Sequence, residues 1–379
     1  MYKHIFKPIL FLFSPDGVHR CIVWCGKLVQ VMPPARWLLR RLWQVKDPVL
    51  AQTIDGVKFN NPVGLSAGFD KNVQLTPLME SVGFGFATGG SVTYEPRVGN
   101  PRPWFHRLPK TKSVVVFAGM PNHGLTRIGQ YIQRNRRRRV AMPAVVSVAV
   151  IADKTTRERF AGGVPEEAII NDVKKATEYI LQHKLAEVIE LNISCPNAGK
   201  EPFIEPGPLE ELLTVLDTVP RQVPFWVKMP HLYDMGQFDA LLDVIARHNI
   251  QGVTVANLVK ERDRVALHDP LTDDIRGGLS GAPTQQQSIA LIRRAYERHG
   301  DRLTIIGVGG VFSADDAYAK VRAGASLVGL ITGMLFEGPG LIARINRELI
   351  VLLQRDGFTQ LSEAVGVDCR KKPKKSKNL

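Results

Sequence analysis

The chain has 379 residues, 44% of them hydrophobic and 23% charged, which is enough apolar material for a substantial core in one large domain or two. Its net charge of +14 is partly local, in the run Arg134 to Arg139 and the tail Arg370 to Lys377, and no zinc-finger, RNA-recognition or homeodomain pattern accompanies it, so a nucleic-acid role is disfavoured. Cys21, Cys25, Cys195 and Cys369 lack the spacing of a disulfide framework, a zinc site or an iron-sulphur cluster, which excludes a disulfide-rich secreted scaffold and fits a reducing cytoplasm.

Residues 1 to 48 differ from the rest. Ile5, Phe6, Ile9, Leu10, Phe11, Leu12 and Phe13 form one apolar patch, and Trp24, Leu28, Trp37, Leu38, Leu39, Leu42 and Trp43 follow among Lys27, Arg36, Arg40 and Arg41. These stretches are interrupted well short of the about 20 continuous apolar residues that a membrane-spanning helix needs. Lys7, Pro8, Ser14, Pro15 and Asp16 break the core that a cleaved signal peptide requires. Helices with an aromatic face and basic flanks suit a membrane interface, where anionic lipid attracts their charge. The alternative is an amphipathic helix pair that caps the bottom of the following domain.

From Thr53 onward strands and helices alternate. Residues 57–59 and 62–65 are short strands, and the segments 83–90, 144–150, 187–192, 225–228, 252–257, 304–308 and 326–330 have the β-rich character of buried parallel strands. Helical spacing runs over 166–182, 209–216, 237–248, 285–299 and 314–323. Such alternation implies right-handed crossovers, and an eight-stranded barrel is its natural closure. The predicted fold class is α/β, a (β/α)8 TIM barrel with an N-terminal helical extension. The expected divisions are an amphipathic helical segment at 1–48, the barrel at 49–363 and a flexible basic tail at 364–379. The run Arg134 to Arg139 reads as a solvated loop or disordered surface.

Barrel chemistry sits at the carboxyl ends of strands. Lys71, in Gly68-Phe69-Asp70-Lys71, and Lys228, in Trp226-Val227-Lys228, fall there, and each is either an exposed strand-end lysine or a cation held against a ligand. Asn192-Ile193-Ser194-Cys195-Pro196-Asn197 packs two amides, a hydroxyl and a thiol into six residues, a donor and acceptor set suited to a planar ligand with amide and carboxylate groups. Cys195 adds a possible base, with a buried inert thiol as the alternative. Three glycine-rich loops follow, Gly277-Gly278-Leu279-Ser280-Gly281, Gly307-Val308-Gly309-Gly310, and Ala323-Gly324-Ala325 running on to Thr332-Gly333. One Gly-Gly turn means little, but three after late strands allow backbone amides to bind a phosphate without a cationic side chain.

Asn192 to Asn197 resembles the signature of dihydroorotate dehydrogenases, flavoproteins that oxidise dihydroorotate to orotate in pyrimidine synthesis, and the resemblance extends in order over roughly residues 50 to 350, the span of one barrel with insertions. It implies an FMN cofactor held by Ala67, Gly68, Lys71, Ser91, Asn192, Lys228, Ala256, Gly281, Gly309, Gly310, Thr332 and Gly333. It also implies a substrate site from Lys71, Asn122, Asn192, Asn197 and Asn257, with Cys195 as catalytic base and no metal. Met1-Tyr2 through Ser14-Pro15-Asp16 and His19 looks like the start of the membrane-associated, quinone-using class, and Asp356-Gly357-Phe358 with Glu363-Ala364-Val365-Gly366 resembles its end. The implied partners are therefore a quinone, reached by a tunnel through the N-terminal helices, and the membrane surface. The implied location is peripheral, on the cytoplasmic face of the cell membrane, with the cytoplasm as the alternative. No Gly-x-Gly-x-x-Gly follows a first strand, so nicotinamide use would need a second subunit. The sequence specifies no oligomeric state.

In the implied reaction a base removes the C5 proton of dihydroorotate while the C6 hydride passes to the flavin, so the substrate lies flat on the ring with the base on its other face. A thiol of reference pKa about 8.5 offers some thiolate near neutrality if cations lower it, and a fixed ammonium stabilises the reduced ring. The chain departs from the family pattern in places. Quinone-using members usually place serine where this chain has Cys195, as soluble members do. Val116-Phe117-Ala118-Gly119 stands where the family has Asn-x-Met-Gly, Leu258 replaces a Ser or Thr, and a family asparagine falls near Ala149. Each lost polar contact costs about 1 to 3 kcal/mol if its partner stays buried and unpaired. Three readings are thus open: a quinone-linked dihydroorotate dehydrogenase, an FMN barrel oxidoreductase with another substrate, and a non-catalytic membrane-associated flavin-binding protein. Retained Lys71, Asn192, Cys195, Asn197, Lys228 and Asn257 argue against the last.

Overall fold

The structure, a computed structural model, describes residues 2–138, 140–160, 163–194 and 202–370. A hairpin of β1 (Gln52–Ile54) and β2 (Val57–Phe59) precedes the barrel. The barrel closes through eight parallel strands in chain order: β3 (Val63–Leu65), β4 (Phe86–Val92), β7 (Ala144–Ala149), β8 (Val188–Asn192), β9 (Phe225–Lys228), β10 (Gly252–Val255), β12 (Thr304–Val308) and β13 (Leu327–Leu330), which returns to β3. A separate antiparallel sheet, in the order β11-β6-β5, is built from β5 (Phe105–Leu108), β6 (Ser113–Val116) and β11 (Gly278–Leu279).

Near-continuous apolar strands are what a barrel requires, because one face fills the interior and the other lies under helices. All six residues of β7, Ala-Val-Val-Ser-Val-Ala, are buried. Among the covering helices, α7 (Glu166–Gln182) buries Ile170, Val173, Thr177 and Ile180 along one stripe, and each apolar member contributes about 1.5 to 3 kcal/mol by leaving water. At the lower end Phe59, Phe86 and Trp226 pack with Val145, Val188, Ile306 and Leu327, with Phe59 stacked on Trp226 at 6.3 Å. Gly64 makes room for this plug, since a Cβ there would lie 2.1 Å from the Phe86 ring. With that end closed, the carboxyl ends of the strands are left to form the site.

The remaining helices are α1 (Lys7–Phe11), α2 (Pro15–Val29), α3 (Pro33–Trp43), α4 (Thr76–Val82), α5 (Leu125–Arg136), α6 (Lys154–Arg159), α8 (Pro206–Asp217), α9 (Met235–Arg247), α10 (Gln285–His299), α11 (Ala314–Arg322), α12 (Thr332–Glu337), α13 (Leu341–Arg355) and α14 (Leu361–Ala364). Several expectations need correction. The strand predicted to start at Gly83 starts at Phe86, because Gly83 is the left-handed cap of α4 (φ 101°) and Gly85 lies against the Asn61 backbone. The strand expected over 252–257 stops at Val255. Helices α4, α5 and α13 lie outside the predicted set, although α13 repeats Leu341, Ile345, Leu349 and Leu353, all buried, at every fourth position. Part of the arginine run is helix rather than loop, since Arg134 and Arg136 occupy the last turn of α5, while Arg139 lies outside the described residues.

The barrel bottom is capped by the β1–β2 hairpin, not by the N-terminal helices. Asp16 of α2 accepts from Trp104 N at 3.1 Å and Phe105 N at 3.3 Å and pairs with Arg102 at 2.6 Å, which holds the helix against β5. Along α3, Arg36 and Arg40 both meet Glu80 of α4. At the other terminus, residues beyond 363 are not free tail as far as Arg370. Gly366 N and Asp368 N donate to the carbonyls of Val321 and Arg322, and Arg322 pairs with the Asp368 carboxylate, so the chain stays fastened to α11. Residues 371–379 of the expected tail lie outside the described residues.

Candidate active site

A cavity of about 1260 Å³, its open mouth included, lies over the carboxyl ends of the barrel strands. Its polar floor is formed by Ser91, Asn192 and Asn257, with Ser147 buried behind them. Ser147 of β7 meets Ser91 of β4 (Oγ to Oγ, 2.9 Å), Asn192 of β8 donates to Ser91 Oγ at 2.8 Å, and Asn257, just beyond β10, donates to Asn192 Oδ1 at 3.3 Å. Asn257 also donates to Ser194, to the carbonyl and at 3.1 Å to the hydroxyl, and accepts from Leu258 N at 3.0 Å. Ser194 donates to the Lys228 carbonyl at 3.2 Å. The strand end that leads into Cys195 is thus tied to β4, to β9 and to the segment after β10.

Lys71 and Lys228 line the same cavity. Lys228 is the last residue of β9, a strand buried throughout, which carries its side chain to the barrel mouth without exposing it. Lys71 donates to the Gly68 carbonyl and lies 4.9 Å from the centre of the Phe105 ring. Burial pushes its ammonium down to about 8, against the opposing pull of the Asp16 and Asp70 carboxylates. The nearest atom that a Cβ on Gly68 would meet is Ile331 Cδ1, at 3.8 Å, so Gly68 faces open space at a φ of 119°.

Opposite this floor the glycine loops 277–281 and 307–310 meet Thr332 and Gly333, whereas Ala323-Gly324-Ala325, expected with them, precedes β13 at the other end of the strand, faces Tyr296 and does not line the cavity. Gly309 packs so closely on α10 that a Cβ would lie 2.6 Å from Thr284 Oγ1, and one on Gly333 would lie 1.9 Å from the Val311 carbonyl. Ser280 and Thr332 join through their hydroxyls at 2.8 Å, and Thr284 Oγ1 donates to the Gly281 carbonyl at 2.7 Å. Such a pocket, backbone-lined and without bulky side chains, suits a phosphate.

Of the residues singled out by sequence, Ala67, Gly68, Lys71, Ser91, Asn192, Lys228, Ala256, Asn257, Gly281, Gly309, Gly310, Thr332 and Gly333 all line this cavity. Asn122 does not. Its carboxamide accepts from Gly124 N at 2.9 Å and donates to Thr93 Oγ1 at 3.0 Å and the Met120 carbonyl at 3.1 Å, so it braces a turn behind the wall. Cys195 and Asn197 lie outside the described residues. Val116, Ala118, Met120 and Leu258 make one wall apolar, and Ala149 is buried against Met120.

Sequence reasoning assigned no place in the cavity to Phe105 or His19. Phe105 sits on a sheet that the strand pattern did not announce, and His19 is far away in the chain, on α2. The His19 ring nitrogen Nε2 lies 2.8 Å from the Phe69 carbonyl, and the ring packs edge-on against Phe69 at 5.3 Å. Burial, with the Lys71 ammonium acting in the same sense, pushes the imidazole down to about 4, so it is neutral at neutral pH. His19, Phe69 and Phe105 also border a second, mostly apolar cavity, completed by Phe11, Pro15, Val18, Ile22, Arg107, Val114, Leu335 and Phe336 under the N-terminal helices.

The family model described as dihydroorotate dehydrogenase matches residues 49–353. The chain is 37% identical over 381 aligned positions to a dihydroorotate dehydrogenase (quinone) of Nocardia farcinica, covering 98% of both chains. It is 35% identical over 378 positions to the protein of that name from Deinococcus deserti, covering 97% of this chain and 100% of the other. A crystal structure of the Eimeria tenella enzyme DHODH in complex with ferulenol superimposes with a TM-score of 0.78 at 24% identity, over 94% of this chain and 96% of that one, and shares its fold.

Proposed function

Since the chain belongs to the dihydroorotate dehydrogenase family, we propose that it oxidises (S)-dihydroorotate to orotate in pyrimidine biosynthesis and passes the electrons to a quinone. The observation that carries this reading is the convergence of Lys71, Lys228, Asn192 and Asn257 with Gly281, Gly309, Gly310, Thr332 and Gly333 in one cavity at the barrel mouth. The residues present fit FMN: Gly68 leaves open space for a flat ring, two lysines stand beside it, and the Gly281, Gly309–Gly310 and Thr332–Gly333 loops form a pocket for a terminal phosphate. Bound FMN would supply the acceptor for the hydride leaving C6.

The chain's own residues do the rest. Asn192 and Asn257 present a hydrogen-bonded amide edge that orients the substrate, and the ammonium groups of Lys71 and Lys228 favour negative charge over the barrel mouth. Cys195 Sγ takes the C5 proton, and Ser194, the residue before it, is anchored to Asn257 and Lys228. The apolar cavity bordered by His19 and Phe105 suits the ring and tail of a quinone entering beneath the N-terminal helices. Among the described residues, twelve of the fourteen exposed large hydrophobics lie between Ile5 and Leu42, which supports docking of this segment on a membrane. No helix among the described residues is long and apolar enough to cross one.

A second reading, a changed substrate, is favoured by the apolar wall of Val116, Met120 and Leu258. Anaerobic mixing of the FMN-loaded protein with dihydroorotate separates the two. Bleaching of the flavin band is expected, with colour restored by a quinone and not by fumarate. Absence of bleaching in protein that dithionite still reduces would sink the dihydroorotate reading and leave the second.

A further inference from the structure

Behind the glycine loops lies a cation that the chemistry above does not use. Lys320 of α11 does not line the cavity and is completely buried, one of the largest side chains in the molecule to be so. Its Nζ donates to Ser288 Oγ at 2.9 Å, and Ser288 Oγ donates to the Val308 carbonyl at 2.6 Å. Val308 immediately precedes Gly309 and Gly310, both at positive φ (115° and 65°) and both on the cavity wall. The far side of that turn is pinned to α11 as well, because Asp316 accepts from Phe312 N at 2.9 Å.

An ammonium buried away from an opposite charge is strongly unfavourable, so its neighbours matter. Burial pushes the Lys320 ammonium down to about 7, against the pull of Asp316 one turn earlier on α11, whose carboxylate is directed at Phe312 N and the Gln285 side-chain amide. His231, from the loop after β9, is a second titratable neighbour, and burial pushes its imidazole down to about 4, which keeps it neutral. An ammonium so placed beneath a glycine turn is only partly charged at neutral pH, and an anion on the turn's open face draws it into the charged form and is favoured by it in return.

We propose that Lys320 is a positioning residue for the phosphate of the flavin: through Ser288 it holds the Val308–Gly310 turn in place, and it supplies the positive charge behind the backbone N–H groups that meet the phosphate. The inference rests on the FMN reading and extends it to a residue with no place on the cavity wall. The test is titration of apoprotein with FMN and, separately, with riboflavin, which lacks the phosphate, followed by flavin fluorescence. Lys320→Met is expected to weaken FMN about tenfold or more while riboflavin stays within about twofold. Lys320→Gln keeps a donor for Ser288 and removes only the charge, so it is expected to show the same selective loss and reports even if Lys320→Met does not fold. An equal loss for both flavins, or unchanged FMN affinity in the Gln variant, overturns the proposal. Wild-type protein that binds neither flavin would instead overturn the FMN reading on which it rests.

Discussion

The Asn257 carboxamide donates to Ser194 and Asn192 and accepts from its own neighbour, so in this structure the residue that pattern assigns to substrate also anchors the segment leading into Cys195. Asn122 goes further, with both ends of its amide engaged away from the cavity. Residue types at the strand ends were legible, since amides and lysines interrupt otherwise apolar runs. Which way each amide points was not, because that is set by partners on other strands. For Cys195, whose role as base rests on the family resemblance and on the anchored strand end before it, Cys195→Ala is expected to lower turnover about 100-fold or more with FMN content unchanged. Steady-state rates beside the flavin absorbance ratio check this, and undiminished turnover would remove the thiol from the mechanism.

Among the elements, α2 has the largest functional reach, because the Asp16 carboxylate fixes its first turn to the Arg102–Phe105 segment and thereby sets His19 between the two cavities. Asp16→Ala leaves two backbone donors and the half-exposed Arg102 without that carboxylate, a local cost of about 1 to 3 kcal/mol. We expect α2 to loosen, so that quinone-dependent turnover falls several-fold while anaerobic flavin reduction by dihydroorotate is nearly unchanged. Stopped-flow measurement of each half-reaction separates them, and equal losses in both would contradict a selective role for this latch. The helical pattern of α2 could be read from its spacing, but its docking partner, the loop before β5, carries no periodicity that marks it.

For the molecule as a whole, the distribution of apolar surface is the decisive feature. The barrel buries its strands on both faces, whereas the first 42 residues leave Trp24, Leu28, Trp37, Leu38 and Leu42 about half exposed or more. Burying the exposed half of each such side chain in an interface yields about 1 kcal/mol. The double variant Trp24→Ser/Trp37→Ser is therefore expected to bind vesicles of phosphatidylcholine and phosphatidylglycerol at least about tenfold more weakly, with unchanged flavin content. Co-sedimentation measures it, and unaltered binding would place the membrane contact elsewhere.

Alternation of apolar strands with amphipathic helices was enough to determine the barrel, because a parallel strand buried on both faces must be apolar and a helix lying on it must carry one apolar stripe. Glycine loops, lysines and asparagines at strand ends likewise marked the site, since each breaks its local pattern in a way that folding alone does not reward. Tertiary structure alone decided that His19 and Phe105 enter the cavity, that Asn122 leaves it, and that Lys320 lies beneath the glycine turn. Those outcomes depend on contacts between residues tens to hundreds of positions apart, such as Asp16 with Trp104 and Lys320 with Ser288, and no local period in a sequence encodes a partner at that distance.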